Sequence, residues 1–251
     1  MADVTAEAAG WADRYHFLIR RLHSLSGIVP VGVFLCIHMS VNATIVAGPQ
    51  AFQFGVDRIH ALDQLGVLTA VEMIFIFIPI AFHAIVGIQI WLSGKSNVLA
   101  YQHGGNVRYA LQRWTGLVAL PFILIHLWHM HWLGKPFGGA EFDPYNAAYT
   151  AVKAIQVSWW YTPFYAVGVL ASVYHLANGI WTFLITWGIT IGPQAQRRSG
   201  YVCVVIGLLL GLLGIGSLLK LKTTDLKTLR GSEAAETFTA DAGAVFGDTI
   251  L

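Results

Sequence analysis

Charged residues are scarce in this 251-residue sequence. Asp, Glu, Lys and Arg make up 11% of it, whereas soluble domains carry about 25%. Apolar residues make up 56%, and the mean hydropathy is +0.61. The 15 basic and 13 acidic side chains nearly balance, so net charge gives no reason to expect a nucleic acid as partner. This composition predicts an integral membrane protein.

Cysteine is equally rare. Cys36 and Cys203 both lie within apolar runs, which excludes a disulfide framework and a C-x-x-C-H attachment site for haem. We therefore expect two inert thiols. The first 26 residues are polar and lack a short apolar region followed by a small-residue cleavage site. We expect no cleaved signal peptide, and the first membrane span should act as its own insertion signal.

Long apolar runs, by contrast, are abundant, and runs of about 20 residues can cross a bilayer as helices. The five predicted spans are residues 27–47, 65–92, 109–133, 160–187 and 201–219. Glycine and proline mark the turns between them, as at Gly48-Pro49 and Gly192-Pro193. The predicted fold is an all-α integral membrane protein, a bundle of five transmembrane helices.

The positions of Lys and Arg predict the orientation, because cytoplasmic loops are enriched in both. Eight lie on the side of the N-terminus and three on the other: Arg14, Arg20, Arg21, Lys95, Arg108, Arg113, Arg197 and Arg198 against Arg58, Lys135 and Lys153. This predicts a cytoplasmic N-terminal segment (1–26), a transmembrane domain (27–219) and a polar, mobile C-terminal tail (220–251). The tail opposes this orientation, since Lys220, Lys222, Lys227 and Arg230 closely follow the last span.

Four histidines lie deep in the apolar runs, one in each of the first four spans: His38, His83, His126 and His175. Successive separations are 45, 43 and 49 residues. A polar group in hydrocarbon costs a few kcal/mol unless something satisfies it. Any one of these histidines could simply bond a neighbouring helix. Four of them, one per span, favour a set of ligands.

Their depths divide them into two pairs. His38 and His126 precede the outer ends of their spans by 10 and 8 residues, whereas His83 and His175 lie deeper, 19 and 12 residues from theirs. Local sequence makes the same division. His83 and His175 each have glycine four residues on, which would clear a helical turn for a flat macrocycle, whereas His38 and His126 follow the small pairs Ser26-Gly27 and Thr115-Gly116.

Two facing pairs of neutral imidazoles suit two bis-histidine b haems stacked along the membrane normal. Zinc or copper would require three or four ligands at one point, including Cys, Asp or Glu. A proton relay would want carboxylates at matching depth, and spans one, three and four have none. Haem propionates need donors at the membrane edge, and the candidates are Arg21, His23, Ser24 and Arg113. A basic face that docks another subunit would explain the same arginines.

Four stretches resemble one family: RRLHSLSGIVPVGVFLCIHMSVN, FIPIAFHAIVG, LQRWTGLVALPFILIHLWHMHW and VYHLANGIWTFLITWGITIGPQAQR. They are similar to the di-haem, five-span cytochrome b anchor of succinate:quinone oxidoreductases (succinate dehydrogenase and fumarate reductase, complex II), from about Arg20 to Leu219. The resemblance implies that His83 and His175 are the axial ligands of the haem nearer the cytoplasm, and that His38 and His126 hold the outer haem. This assignment agrees with the division of the four histidines by depth.

The resemblance also implies electron transfer in the respiratory chain and the tricarboxylic acid cycle. A flavoprotein subunit would oxidise succinate, an iron–sulfur subunit would pass the electrons on, and this chain would anchor both in a bacterial cytoplasmic membrane and deliver electrons through its haems to a quinone, expected to be menaquinone. The sequence has no nucleotide-binding glycine motif and no cysteine cluster. FAD and iron–sulfur centres should therefore belong to the partners.

Reduction of a quinone takes up two protons, so its site needs an ionisable group. Glu72 precedes His83 by 11 residues, about 16 Å along a helix, and matches a glutamate at that distance in relatives. Asp57, His60, Asp63 and Gln64 precede the second span and are further candidates. Glu72 could instead be a neutral carboxyl group bonded within the bundle. Some menaquinol-oxidising relatives have a glutamate where this chain has Val173, which puts a proton path there in doubt.

Three alternatives stay open. The subunit could work in the direction of fumarate reduction, it could anchor another dehydrogenase such as a formate dehydrogenase or hydrogenase, or the chain could be a histidine-lined proton or metal transporter without haem. The remaining histidines near the span ends receive no role: His16, His103, His129 and His131.

Overall fold

The computed structural model describes residues 11–94, 100–101 and 103–229, with side chains from Tyr15 onward. These residues contain helices and turns and no strand. The α helices are α1 (Trp11–Ile28), α2 (Pro30–Ala43), α3 (Pro49–Gln64), α4 (Leu68–Glu72), α5 (Ile78–Ser93), α6 (Gly104–Met130), α7 (Ala147–Gln156), α8 (Tyr161–Thr186) and α9 (Pro193–Thr223).

Five helical stretches are long enough and apolar enough to cross a membrane. They are Tyr15–Ala47, Leu68–Ser93, Gly104–Met130, Tyr161–Thr186 and Pro193–Thr223. The predicted all-α membrane fold with five spans is therefore confirmed.

The first and last spans are longer than the apolar runs that predicted them. The first begins at Tyr15 instead of residue 27, and the last runs from Pro193 to Thr223 instead of 201–219. Charged residues such as Arg20 interrupt an apolar run without interrupting backbone hydrogen bonding. Their long side chains can also reach the membrane surface from within a helix. The helices therefore extend beyond the hydrocarbon-like segments at both ends of the chain.

Proline explains the two breaks within the spans. Proline cannot donate a backbone hydrogen bond and clashes with the carbonyl four residues before it. Pro30 accordingly separates α1 from α2, with a turn at Val29. Before Pro79 the chain widens into a π-helical turn, Met73–Phe77, where the N–H of Ile78 bonds the carbonyl of Met73.

The described residues divide into two compact units. The first unit draws on the described residues within Met1–Ile37, Val67–Leu120 and Leu170–Leu210, and in it α1 packs against α5. The second unit draws on the described residues within His38–Gly66, Pro121–Val169 and Gly211–Leu251, and in it α3 packs against α7 and a 3-10 turn, Thr44–Ala47.

Helices α3 and α7 of the second unit lie between the predicted spans. Gly48 precedes α3 with φ of 128°, a conformation that favours glycine. Gln53 of α3 then ties the two helices together. Its amide nitrogen donates to the carbonyl of Pro144 at 2.7 Å, and its amide oxygen accepts from the N–H of Ala147 at 2.9 Å. Both helices are too short to cross a membrane, which is why a search for long apolar runs missed them.

Gln156, the last residue of α7, caps another helix of the second unit. Its amide nitrogen donates to the carbonyls of Leu221 and Thr224, both at 2.8 Å. These bonds satisfy carbonyls that the end of α9 leaves without helical partners. Helix α9 thus includes residues 220–223 of the predicted tail. Lys95, Arg230, most of the tail and the side chain of Arg14 lie outside the described residues.

Candidate functional site

The four deep histidines lie as two pairs. In the first unit the ring centroids of His83 and His175 are 6.0 Å apart, with an interplanar angle of 90°. In the second unit those of His38 and His126 are 5.8 Å apart, with an angle of 74°. Each unit therefore contains one of the pairs that the sequence predicts.

Backbone carbonyls orient both rings of the first pair. Nδ1 of His83 lies 2.9 Å from the carbonyl oxygen of His23, and Nδ1 of His175 lies 3.0 Å from that of Gln112. A carbonyl only accepts, so these two contacts favour the tautomers with hydrogen on Nδ1 and a lone pair on Nε2. Histidines that bind metals are held in this way, with the second nitrogen donating to a carbonyl.

The spacing also fits a single iron atom between each pair. Bonds from a metal to an imidazole nitrogen are about 2 Å long, which places the centroids of two rings on opposite sides of one metal about 6 Å apart. Both observed separations are close to this value. No group of three or more His, Cys, Asp or Glu side chains suited to a metal ion occurs in the described part of the chain. The donor sets are therefore imidazole pairs, which suit haem better than zinc or copper.

Two glycines make room for the rings of the first pair. A Cβ at Gly27 would lie 2.3 Å from Cε1 of His83, and a Cβ at Gly116 would lie 2.8 Å from Cε1 of His175. The sequence interpretation gives Gly87 and Gly179 a different role, space beside the histidines for a flat macrocycle. The nearest neighbours of a Cβ there are His23, at 3.3 Å, and Gln112, at 3.5 Å. The glycines against the histidine rings thus come from neighbouring helices, because contacts between helices do not follow sequence spacing.

The four predicted propionate donors lie in three different surroundings. Arg21 lies over the ring of Trp187, at 5.0 Å, and the indole N–H of the same Trp187 donates to Ser24 Oγ at 3.4 Å. His23 instead stacks on His83, with centroids 4.0 Å apart and planes at 15°. Arg21 and Ser24 thus share Trp187 as a neighbour, whereas His23 lies directly against a deep histidine.

Arg113 is engaged at the end of α5. Its guanidinium group donates to the carbonyls of Trp91 and Gly94 and to the hydroxyl of Tyr109, the last at 2.8 Å. These contacts satisfy carbonyls at a helix C-terminus, where a positive charge is also favourable. Arg113 therefore has a structural explanation that the sequence did not reveal.

Aromatic side chains surround the second pair. The ring of Phe122 lies 5.8 Å from that of His126 with planes at 23°, and the hydroxyl oxygen of Tyr165 lies 3.3 Å from His126 Nδ1. A Cβ at Gly168 would lie 2.1 Å from Phe122 Cγ, so the phenyl ring fits only because residue 168 has no side chain. The main-chain carbonyl of His38 accepts from the amide of Asn42 at 2.8 Å.

His129 also lies beside the second pair, and the sequence alone gives it no role. It lies near the end of the third predicted span, and its side chain is 1% exposed. Its Nδ1 lies 2.9 Å from the hydroxyl oxygen of Tyr165, and its ring stacks on Tyr161 at 4.1 Å. The sequence shows only that His129 lies three residues after His126 and therefore on the same face of the helix.

The predicted quinone-site residues are distributed over both units. Glu72 is half-buried in the first unit, at the end of α4. The others belong to α3 in the second unit: Asp57, His60, Asp63 and Gln64. Asp57 accepts a hydrogen bond from Gln53 at 2.8 Å and lines an open cavity of about 300 Å³ with Phe54 and Tyr145.

Comparison with known proteins gives two matches. Residues 95–214 match the family described as succinate dehydrogenase/fumarate reductase transmembrane subunit. The succinate dehydrogenase cytochrome b558 subunit of Bacillus subtilis (strain 168) is 36% identical to this chain over 199 residues, which are 79% of this chain and 94% of that protein.

Proposed function

Because the chain belongs to the family of succinate dehydrogenase/fumarate reductase transmembrane cytochrome b subunits, we propose that it carries two b haems, one at each histidine pair. The observation that carries this proposal is the geometry of the pairs, with centroids 6.0 and 5.8 Å apart and two Nδ1 atoms anchored to carbonyls. A bound haem would supply reversible one-electron transfer.

The chain's own residues would hold these groups and set their surroundings. His83 and His175 would be the axial ligands in the first unit, and His38 and His126 those in the second. Gly27 and Gly116 leave space for the first two rings, while Phe122 covers His126 with an apolar face. We propose Arg21 and Ser24 as propionate donors in the first unit. His23 and Arg113 would donate to the propionates with those N–H groups that their other contacts leave unused.

The proposed partners follow from the family. The iron–sulfur subunit would deliver electrons from a flavoprotein that oxidises succinate, and a quinone, in our proposal menaquinone, would receive them. FAD and the iron–sulfur clusters would belong to those partners. Membership of this family also favours the succinate dehydrogenase context over the anchor of a formate dehydrogenase or hydrogenase, and over a haem-free transporter.

Haem stoichiometry tests this function. A pyridine haemochrome assay on the purified membrane complex should give two b haems per chain. In a redox titration, His83→Ala and His175→Ala should each remove the same component, and His38→Ala and His126→Ala should each remove the other. One haem per chain would refute the proposal of two haems, and the loss of the same component in both His83→Ala and His126→Ala would refute the pairing.

Glu72 is our first candidate for proton uptake at the quinone site, with Asp57, His60, Asp63 and Gln64 as further polar groups. It is the one carboxylate among the described side chains of the first unit, and general acid–base groups typically contribute about a hundredfold or more to a rate. Glu72→Gln should therefore reduce quinone turnover at least about tenfold and leave both haem spectra intact. Unchanged turnover would remove Glu72 from the site.

A further inference from the structure

Three polar aromatic residues of the second unit form a hydrogen-bonded chain that ends on a proposed haem ligand. Nδ1 of His126 lies 3.3 Å from the Tyr165 hydroxyl oxygen, which lies 2.9 Å from Nδ1 of His129. Tyr165 is 6% exposed and His129 is 1% exposed, so water does not compete for these bonds. The hydrogen-bonded chain thus lies in the interior of this unit.

The directions of the bonds follow from the proposed function, on which this inference rests. If Nε2 of His126 binds iron, its Nδ1 carries the hydrogen and donates to the Tyr165 oxygen. The phenolic hydrogen is then available to His129 Nδ1, which must accept it. His129 therefore carries its own hydrogen on Nε2. One arrangement of hydrogens satisfies both bonds at once.

Packing holds the three side chains in place. The ring of His129 stacks on Tyr161 with planes at 5°, and the rings of Phe122 and Tyr165 meet edge to face at 5.5 Å. The hydrogen-bonded chain ends at His129, on a side chain that is polar and buried. His129 Nε2 has no hydrogen-bond partner among the described residues, although an unpaired buried donor costs about 1–3 kcal/mol. If His129 served only for packing, an apolar side chain at this position would be more stable.

We propose that Tyr165 and His129 are positioning residues for the second-unit haem, which fix the ring of His126 and strengthen it as a ligand. An acceptor at Nδ1–H raises the basicity of a histidine toward its metal. A more basic axial ligand stabilises ferric iron and lowers the reduction potential. His129 adds to this effect, because a hydroxyl group that donates one hydrogen bond accepts another more strongly.

Tyr165→Phe in the membrane complex tests the proposal, with a redox titration and low-spin electron paramagnetic resonance as readouts. Both haems should remain, and the component that His126→Ala removes should shift to a higher midpoint potential. The other component should not move. Tyr161→Phe is the matched control, because it removes a hydroxyl group one turn earlier in α8 and keeps the ring that stacks on His129. It should leave both potentials unchanged.

His129→Phe provides a second test that keeps Tyr165. Phenylalanine preserves an aromatic ring against Tyr161 and removes the acceptor of the phenolic hydrogen. We expect a smaller upward shift of the same component, and this variant decides the question if Tyr165→Phe loses the haem. An unchanged potential, an equal shift in Tyr161→Phe, or a shift confined to the His83 and His175 component would overturn the proposal. Absence of a component dependent on His126 would instead refute the proposed function.

Discussion

Gly27 and Gly116 set how closely two helices approach the rings of His83 and His175. Sequence spacing indicated four deep histidines, because isolated polar residues stand out in apolar runs. It could not indicate which glycines face them. Gly27 lies 56 residues before His83 along the chain, and only the packing of α1 against α5 brings the two together.

Gly27→Ala should displace the His83 ring. The new Cβ would lie 2.3 Å from Cε1, and ordinary van der Waals contact begins at 3.4 Å, so the ring must move by about 1 Å or the helices must separate. We expect most of the haem component that depends on His83 to be lost while the other remains, as measured by haem content and redox titration.

Gly216→Ala is the control for this substitution, because it makes the same change within α9 where a Cβ would meet nothing within 4 Å. It should retain both components. Two unaltered components in Gly27→Ala would show that the glycine is not needed for the ring.

Among single residues, His129 also illustrates the limit of sequence reasoning. The sequence places it near the end of a predicted span but does not give its neighbours, which are Tyr161 and Tyr165 from α8. Burial of a side chain depends on neighbours far away in sequence. The spacing of three from His126 was present in the sequence, but it acquires a meaning only when the tyrosines of α8 are placed beside it.

At the scale of helices, apolar length predicted all five membrane spans, since a 20-residue apolar helix has few other stable environments. The ends were less predictable. Arg20 and Arg21 lie inside the first helical stretch, because a helix continues wherever its backbone bonds can form. The short helices α3 and α7 were not predicted. Helix α7 depends on burial of Ala147, Val152 and Ile155, which are at most 1% exposed, and its sequence alone resembles an ordinary connection.

For the whole molecule, the distribution of charge between the units supports the predicted orientation. The described side chains of the first unit include six arginines and one carboxylate, Glu72, whereas those of the second include six basic and five acidic residues. The anionic inner leaflet of the membrane attracts positive charge. We therefore propose that the N-terminus and the arginines of the first unit face the cytoplasm.

Single cysteines at two exposed tyrosines test this orientation. Tyr101 is 61% exposed in the first unit and Tyr145 is 80% exposed in the second, whereas both native cysteines lie within spans. In intact cells a membrane-impermeant maleimide should label Tyr145→Cys and leave Tyr101→Cys unlabelled until the cells are lysed. The opposite pattern would reverse the orientation and show that the lysines after the last span dominate.

The two histidine pairs are interleaved along the chain, in the order His38, His83, His126 and His175, and this order determines when each becomes complete during synthesis. The pair of the second unit requires the third span, and the pair of the first unit requires the fourth. A ribosome that has delivered only two spans has delivered one histidine of each pair and no complete pair. The nascent chain must therefore hold polar residues in the bilayer until their partners arrive, and it completes the His38 and His126 pair first.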